Sequence, residues 1–509
     1  MGRADPFFAY SLILRTIIFG LVPALTIVNY FRLKRGLHVF QLAGYKRASF
    51  LEWCRDHPRR ALWLSAPPQK KPLVMTGRAR RTLVVALGLF VVASFFLPGL
   101  AHLFLGGWPA DVGTWAVVTA LLVVGSPLLL TVADVLLTPV QAAVNRHFTS
   151  RAQALLAQVG PLVVGITGSF GKTSTRAAVQ ALIAPAEQVI ATPGSFNTPL
   201  GVVRTINESL EEHHRFFVVE MGARHRGDIA ELCRLVHPHI GVLTAIGSAH
   251  LETFGSLESI ATAKYELIEA LPEDGFAVMN VDDPAVRALA DATESVEVVR
   301  YGLVSEAGPY ITASDLSTTR SGTRFKLTDT RSGESWEAST RLLGRHSVGH
   351  VLAGAAVAVT LGRRLSDLVA PIAALAPVEH RLQLIEGAGG VTVIDDAYNS
   401  NSDGAAVALE VLHALPAHRR VVVTPGIIEL GALQEQANEE LGRRAAAVAD
   451  TVVVVARTNR AALVRGANGA SARVVVVDSL AEAQARLSSL LGPGDAVLFE
   501  NDLPDHYEG

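Results

Sequence analysis

The sequence predicts an α/β protein whose soluble domains follow an α-helical transmembrane region. Three observations carry that expectation. Two long stretches near the N-terminus hold no charged residue. Beyond residue 150, short Val/Ile/Leu runs alternate with amphipathic, Ala-rich segments. One of those runs opens into a glycine-containing turn and then a helix that begins with a lysine.

The chain has 509 residues, room for three or four domains at roughly 100–200 residues each. Half of it is hydrophobic and 18% is charged, against about 25% in an ordinary soluble protein. That balance excludes disorder and points to membrane segments. Cys54 and Cys233 are the two cysteines and lie far apart, so disulfide-framework, secreted, collagen-like and zinc-ribbon readings fall away.

Residues 82–110 and 112–133 contain no Asp, Glu, Lys or Arg, and each exceeds the ~18–20 apolar residues that cross a bilayer as a helix. Phe7 to Phe31 is expected as a third span, weakened by Arg15 and Pro23. A signal peptide is the rival reading there, but a basic start and a small-residue cleavage site are both missing. The overall net charge of −2 hides an asymmetry: from Arg32 to Arg81 there are 13 Lys/Arg against Glu52 and Asp56. Basic loops stay on the cytoplasmic side, so this loop is placed inside and the Gly106–Gly113 turn outside. Phe40, Phe50, Trp53 and Trp63 interleave with its basic residues, which suits a helix lying on an anionic leaflet. A solvated linker is the bland alternative. No nucleic-acid partner is expected, because the basic stretch sits between bilayer segments. Residues 1–150 are therefore read as a multi-pass region of the inner cell membrane, with the catalytic domains in the cytoplasm.

From Arg151 onward PLVVGIT, FFVVEMG, IGVLTAIG, FAVMN, VTVIDDAY, RRVVVTPG, TVVVVART and DAVLFEN read as buried parallel strands joined by crossover helices. Between Ser305 and Leu343 the pattern turns polar and Thr-rich, as in an antiparallel appendage. A break near residues 341–344 is expected to divide a central domain, 151–341, from a C-terminal one, 342–509.

LVVGITGSFGKTSTRAAVQALI is a strand, a turn and an amphipathic helix. Gly168 and Gly171 let the backbone, with Ser169 between them, wrap a phosphate at a helix N-terminus. Lys172 is placed to reach phosphate oxygens, and Thr173 or Ser174 to ligate Mg²⁺. The general phosphate-loop pattern is not fully met, since Ile166 stands where it has glycine. Alone, this segment says nucleotide and nothing about the reaction.

TGSFGKTS, TPGSFNTPLG, VVEMGARHRGDIAEL and TAIGSAHLETFGSLESIATAKYEL occur in that order, followed by LLGRHSVGH, EHRLQ, IDDAYNSNSDG and TPGIIELG. In this the chain resembles the Mur ligases, most of all their D-alanyl-D-alanine-adding branch. The resemblance implies a phosphate-loop central domain and a Rossmann-like C-terminal domain. It also implies an ADP-forming ligase that activates a carboxylate as an acyl phosphate and joins it to an amine. Such a reaction gathers anions, so it needs cations and positioned amides. By the resemblance, Lys172 and Thr173 belong to the ATP loop and Glu220 is a Mg²⁺ carboxylate. His250 would serve a second metal, as would Lys264, which in the family is often carbamylated. Arg381 would lie near the nucleotide and Asp396 at the ribose. Asn197, Thr198, Asn399 and Asn401 would face substrate.

The chain departs from the family in four places. Ser195 and Thr198 replace asparagines, and His350 replaces an adenine-contacting asparagine. Glu500-Asn501-Asp502 stands in place of a lysine-glycine-serine segment, which would suit an ammonium-bearing substrate. Residues 1–150 replace the family's UDP-binding domain. The expectation is a membrane-anchored ligase of cell-envelope assembly that uses ATP and one or two Mg²⁺ ions. Its partners are an amino acid or short peptide amine, a membrane-presented carboxylate acceptor and the lipid bilayer. The alternatives are the standard UDP-linked step, a poly-γ-glutamate-type synthetase, a transport ATPase and a non-catalytic scaffold.

Overall fold

The structure, a computed structural model, describes residues 6–58, 61, 72–105, 117–185, 188–194, 196–319, 321–398 and 400–503. The chain divides into two compact units, residues 1–147 and 148–509.

The first unit is helical: Pro6–Leu42, Arg47–Asp56, Gly77–Leu105, residues 117–124, and the start of Ser126–Val159. Leu33, Leu37, Phe40, Phe50, Leu83 and Leu130 form its core. Gly36 permits close helix packing, since a Cβ there would stand 2.9 Å from the Leu130 Cδ1 atom. Asp134 is buried between two arginines, 2.7 Å from Arg47 Nε and 2.9 Å from Arg78 Nη2. Among the described residues one helix, Ser126–Val159, is long and apolar enough to cross a membrane by length and composition. The sequence placed a boundary between apolar stretches at residue 111; residues 106–116, including the expected outer turn, lie outside the described residues.

The second unit holds two sheets. The first comprises β1 (Leu162–Thr167), β2 (Val189–Ala191), β3 (Phe216–Glu220), β4 (Ile240–Leu243), β5 (Phe276–Asn280), β6 (Glu297–Tyr301), β7 (Ile311–Thr319), β8 (Gly322–Asp329) and β9 (Ser335–Thr340). Its order is β2-β3-β1-β4-β5-β6-β7-β8-β9. The strands are parallel as far as β7, and β7, β8 and β9 pair antiparallel, so the polar Thr-rich segment extends the sheet. β1 and β3 are buried along nearly their whole length, which explains their unbroken apolar runs. β1 sits where the order reverses, and ligands of such sheets bind at the strand C-termini beside that point.

The second sheet comprises β10 (Gln383–Glu386), β11 (Thr392–Asp396), β12 (Arg420–Thr424), β13 (Thr451–Val455), β14 (Arg473–Val477) and β15 (Ala496–Glu500). Its order is β10-β11-β15-β12-β13-β14, and only β10 pairs antiparallel.

One expectation is corrected. The Gly344–Thr360 helix was assigned to the C-terminal domain from residue 342, but it packs into the core of the first sheet with Val164, Ile166, Val179 and Leu182. From Val351 to Ala358 it is apolar all round and buried, and so requires cover on every side. Gly354 allows that cover, because a Cβ there would stand 2.9 Å from the Ala178 backbone.

Candidate active site

The Lys172–Ile183 helix follows β1 and buries Thr175, Ala178, Val179, Leu182 and Ile183, one stripe at helical spacing. Its N-terminus is thereby fixed at the sheet's reversal point. Gly168 (φ +150°) and Gly171 (φ +78°) have conformations that side chains rarely adopt. A Cβ on Gly168 would lie 2.0 Å from Thr244 Oγ1, and one on Gly171 would lie 2.6 Å from His350 Cε1. The loop is pinned from β4's exit: Thr244 Oγ1 donates to Phe170 O (2.6 Å), Ser169 N to Ala245 O (2.8 Å) and Gly247 N to Ser169 Oγ (2.9 Å).

Lys172 folds back into this turn and donates from Nζ to Gly168 O at 2.6 Å and Ser169 O at 3.2 Å. Burial lowers its pKa, nearby Glu220 opposes that shift and Arg381 adds to it. Glu220, 2% exposed at the end of β3, accepts from Thr173 Oγ1 at 2.9 Å on one oxygen and from Asn197 Nδ2 at 3.1 Å on the other. Arg176 Nε stands 3.9 Å from it. Ser174 lies in the same first helical turn, partly buried.

Among the described residues no three His, Cys, Asp or Glu side chains converge as a cation site. Thr173 and Glu220 supply a hydroxyl and a carboxylate together, a donor set that suits Mg²⁺, which keeps waters and takes phosphate oxygens as its other ligands. His250 does not join them; its Nδ1 pairs with Glu429 Oε2 of the second sheet's domain. Lys264 is 3% exposed, with Nζ 5.9 Å from the centre of the Phe254 ring. Burial, and then the charge of Lys172, bring its pKa down to about 7.

The His350 Nδ1 atom lies 3.1 Å from Thr175 Oγ1, and burial, reinforced by Arg381, lowers its pKa to about 4. Arg381 stacks 4.6 Å from the centre of the Tyr398 ring, and its charge reaches Lys172, His350 and Asp396. Asp396 accepts from Leu382 N at 3.1 Å and stands opposite Glu500 in the β11/β15 register. Burial raises its pKa to about 6. Glu500 is fully buried, accepts from Ser400 Oγ, and shares a hydrogen bond with the Asp396 carboxyl. Burial, then Asp396, raises its pKa well above the usual range.

Two residues expected to face substrate also cap helices. Thr198 caps Pro199–Ser209, and Asn401 caps Ser402–Ala414 through Asp403 N and Gly404 N. Short polar side chains satisfy free amides at such positions. Asn399 and Ser195 lie outside the described residues. Glu429, Thr244 and Arg176 join the site without having been expected there; the signal for Glu429 is its place within TPGIIELG.

Both halves of this site fall within recognised families: residues 166–358 match the Mur ligase middle domain, and residues 380–500 match the family described as Mur ligase, glutamate ligase domain. The chain belongs to the Mur ligase family. It is 37% identical over 390 residues to UDP-N-acetylmuramoyl-tripeptide–D-alanyl-D-alanine ligase of Mycobacterium tuberculosis, covering 70% of this chain and 74% of the relative. The MurF crystal structure from Acinetobacter baumannii superposes with a TM-score of 0.64 at 26% identity, over 71% of this chain and 78% of that one. The MurF ligase from Thermotoga maritima in complex with ADP gives 0.63 at 27% identity, over 70% and 80%. This Mur ligase is a MurF-like, ATP-dependent, ADP-forming ligase of peptidoglycan synthesis.

Proposed function

We propose that this Mur ligase joins a peptide amine, D-alanyl-D-alanine or a related dipeptide, to a carboxylate acceptor presented at the membrane. The observation that carries the chemistry is the cluster Lys172–Thr173–Glu220–Asn197 at the reversal point of the first sheet. Lys172 and the amides of the Gly168–Gly171 turn would hold the transferred phosphoryl group of ATP. Mg²⁺, held by Thr173 and Glu220, would neutralise the phosphate charge. The acceptor carboxylate would then displace ADP and become an acyl phosphate. The incoming amine would displace phosphate from that carbonyl, forming the amide. Arg381 and Asp396 would position the nucleotide from the C-terminal domain. Neutral Lys264, available near pH 7, would add through its amine nitrogen to CO2 and release one proton to solvent, leaving an anionic carbamate on the metal side, with His250 beside the same ion.

The membrane reading is supported by the surface of the first unit. Ile27, Val28 and Phe31, then Val84, Val92 and Phe96, then Leu121, Leu128, Val132 and Leu136 are all exposed apolar side chains on its helices. A surface of this kind, rimmed by basic residues such as Lys34, Arg35 and Arg80, is what a bilayer covers. The acceptor would accordingly be lipid-linked.

The test is ADP release by full-length protein in nanodiscs, supplied with D-alanyl-D-alanine and either a lipid-linked or a UDP-linked tripeptide acceptor. ADP formed in step with a new amide, faster on the lipid-linked acceptor, is the expected result. Preference for the soluble acceptor would overturn the membrane part, and no ADP on either would overturn the whole.

A further inference from the structure

Glu429 follows β12 in the C-terminal domain, yet both of its carboxylate oxygens are committed to the middle domain. Oε2 takes the ring Nδ1 of His250, in the loop after β4. Oε1 lies 3.2 Å from Arg224 Nη2, in the loop that follows Glu220 at the end of β3. The backbones meet as well: Glu252 N donates to Glu429 O at 3.3 Å, and a Cβ on Gly431 would stand 3.4 Å from Glu252 Cα. His250 (φ 60°) and Glu429 (φ 65°) both adopt the left-handed conformation, which costs side-chain-bearing residues energy and persists where the surroundings impose it.

A carboxylate on one nitrogen of an imidazole decides what the other can do. With the Nδ1 proton donated to Glu429, Nε2 keeps its lone pair, and the ring can neither spin nor change tautomer freely. Nε2 has no hydrogen-bond partner among the described residues.

We propose that Glu429 is a positioning residue. It fixes His250 with Nε2 presented as a donor atom, and through Arg224 it makes that alignment depend on the C-terminal domain being docked. This rests on the reading of His250 as a ligand on the metal side.

The experiment uses the full chain in detergent with Glu429→Ala, Glu429→Gln, His250→Ala and the double variant Glu429→Ala/His250→Ala. Binding of Mn²⁺ is followed by electron paramagnetic resonance in the presence of a non-hydrolysable ATP analogue, alongside the Mg²⁺ dependence of ADP release. Circular dichroism checks folding, and Glu429→Gln stands in if the alanine variant does not fold. Loss of an outer-shell carboxylate typically weakens metal binding by about 10–100-fold. Glu429→Ala should therefore weaken Mn²⁺ at least tenfold, with analogue binding in the absence of metal changed less than twofold. The double variant should be no worse than His250→Ala. Unchanged Mn²⁺ binding in Glu429→Ala and Glu429→Gln, with His250→Ala impaired, overturns the positioning role alone. An unimpaired His250→Ala overturns the parent reading and this inference with it.

Discussion

The Thr175 hydroxyl and the His350 Nδ1 atom lie 3.1 Å apart, so a helix from the far end of the middle domain closes over the phosphate loop. The same imidazole fills the space beside Gly171, 2.6 Å from where a Cβ would stand. Gly171→Ala must therefore move His350 and also bear a positive φ, which costs an L-residue about 1–2 kcal/mol. ATP affinity measured by calorimetry should fall at least tenfold, while the Tm falls by a few degrees. Wild-type ATP affinity in this variant would contradict the packing.

His350 also sets an acid limit. An unfolded chain protonates it near 6.5, whereas burial holds the folded value to about 4. The unfolded state thus binds more protons in between, so the stability is complete above about pH 6.5 and is lost as pH falls toward 4. The whole effect is at most about 3 kcal/mol. His350→Asn, which cannot ionise, should show a smaller drop in Tm between pH 7 and pH 4.5. An equal drop would assign the acid lability elsewhere.

The parallel sheets and the phosphate loop were legible because buried strands read as unbroken Val/Ile runs and because glycine turns carry a chemical signature. The Gly344–Thr360 helix was misassigned because an Ala/Val-rich helix reveals that it is buried, not which sheet buries it. Thr198 and Asn401 also cap the helices that follow them, a local role that their short polar side chains carry alongside the family position. Glu429 was not identified because its role depends on contact between two domains distant in sequence, which no local spacing encodes.

Asp134 holds the guanidinium groups of Arg47 and Arg78, whose side chains are 40% and 32% exposed. Removing one partner of a fully buried pair costs roughly 3–5 kcal/mol, and solvent screening of these arginines reduces that to about 1–2 kcal/mol. Asp134→Asn should lower the Tm of the detergent-solubilised protein and speed trypsin cleavage in the 47–78 segment. ADP release by the surviving folded fraction should keep its Mg²⁺ dependence. Unaltered trypsin sensitivity would show that the arginines are not held by this carboxylate.

Lys264 has a pKa of about 7 because it is buried and faces the charge of Lys172, so a large fraction is unprotonated at neutral pH. Protein equilibrated with ¹³C-bicarbonate should give a carbamate resonance that grows between pH 6.5 and 8 and is absent from Lys264→Arg. Lys264→Ala should lose at least a hundredfold in amine-dependent ADP release. A wild-type spectrum with no such resonance, together with full activity, would remove the carbamate from the mechanism.

Glu500 and Asp396 face each other at the ends of β15 and β11, where their buried carboxyls share a hydrogen bond. Burial and the neighbouring carboxyl raise the folded pKa of Glu500 above its unfolded value. The folded state therefore binds more protons than the unfolded one as pH rises from about 4.5, and stability declines across that interval instead of growing. Glu500→Gln keeps the shape, removes the charge and gives Asp396 a neutral neighbour able to donate. Its Tm should exceed that of the wild type at pH 8, by the equivalent of about 1–2 kcal/mol, and the two should converge near pH 5. A variant less stable than the wild type at pH 8 would mean that Glu500 is ionised and compensated, and that the acidic replacement at this strand end is a charge the fold requires.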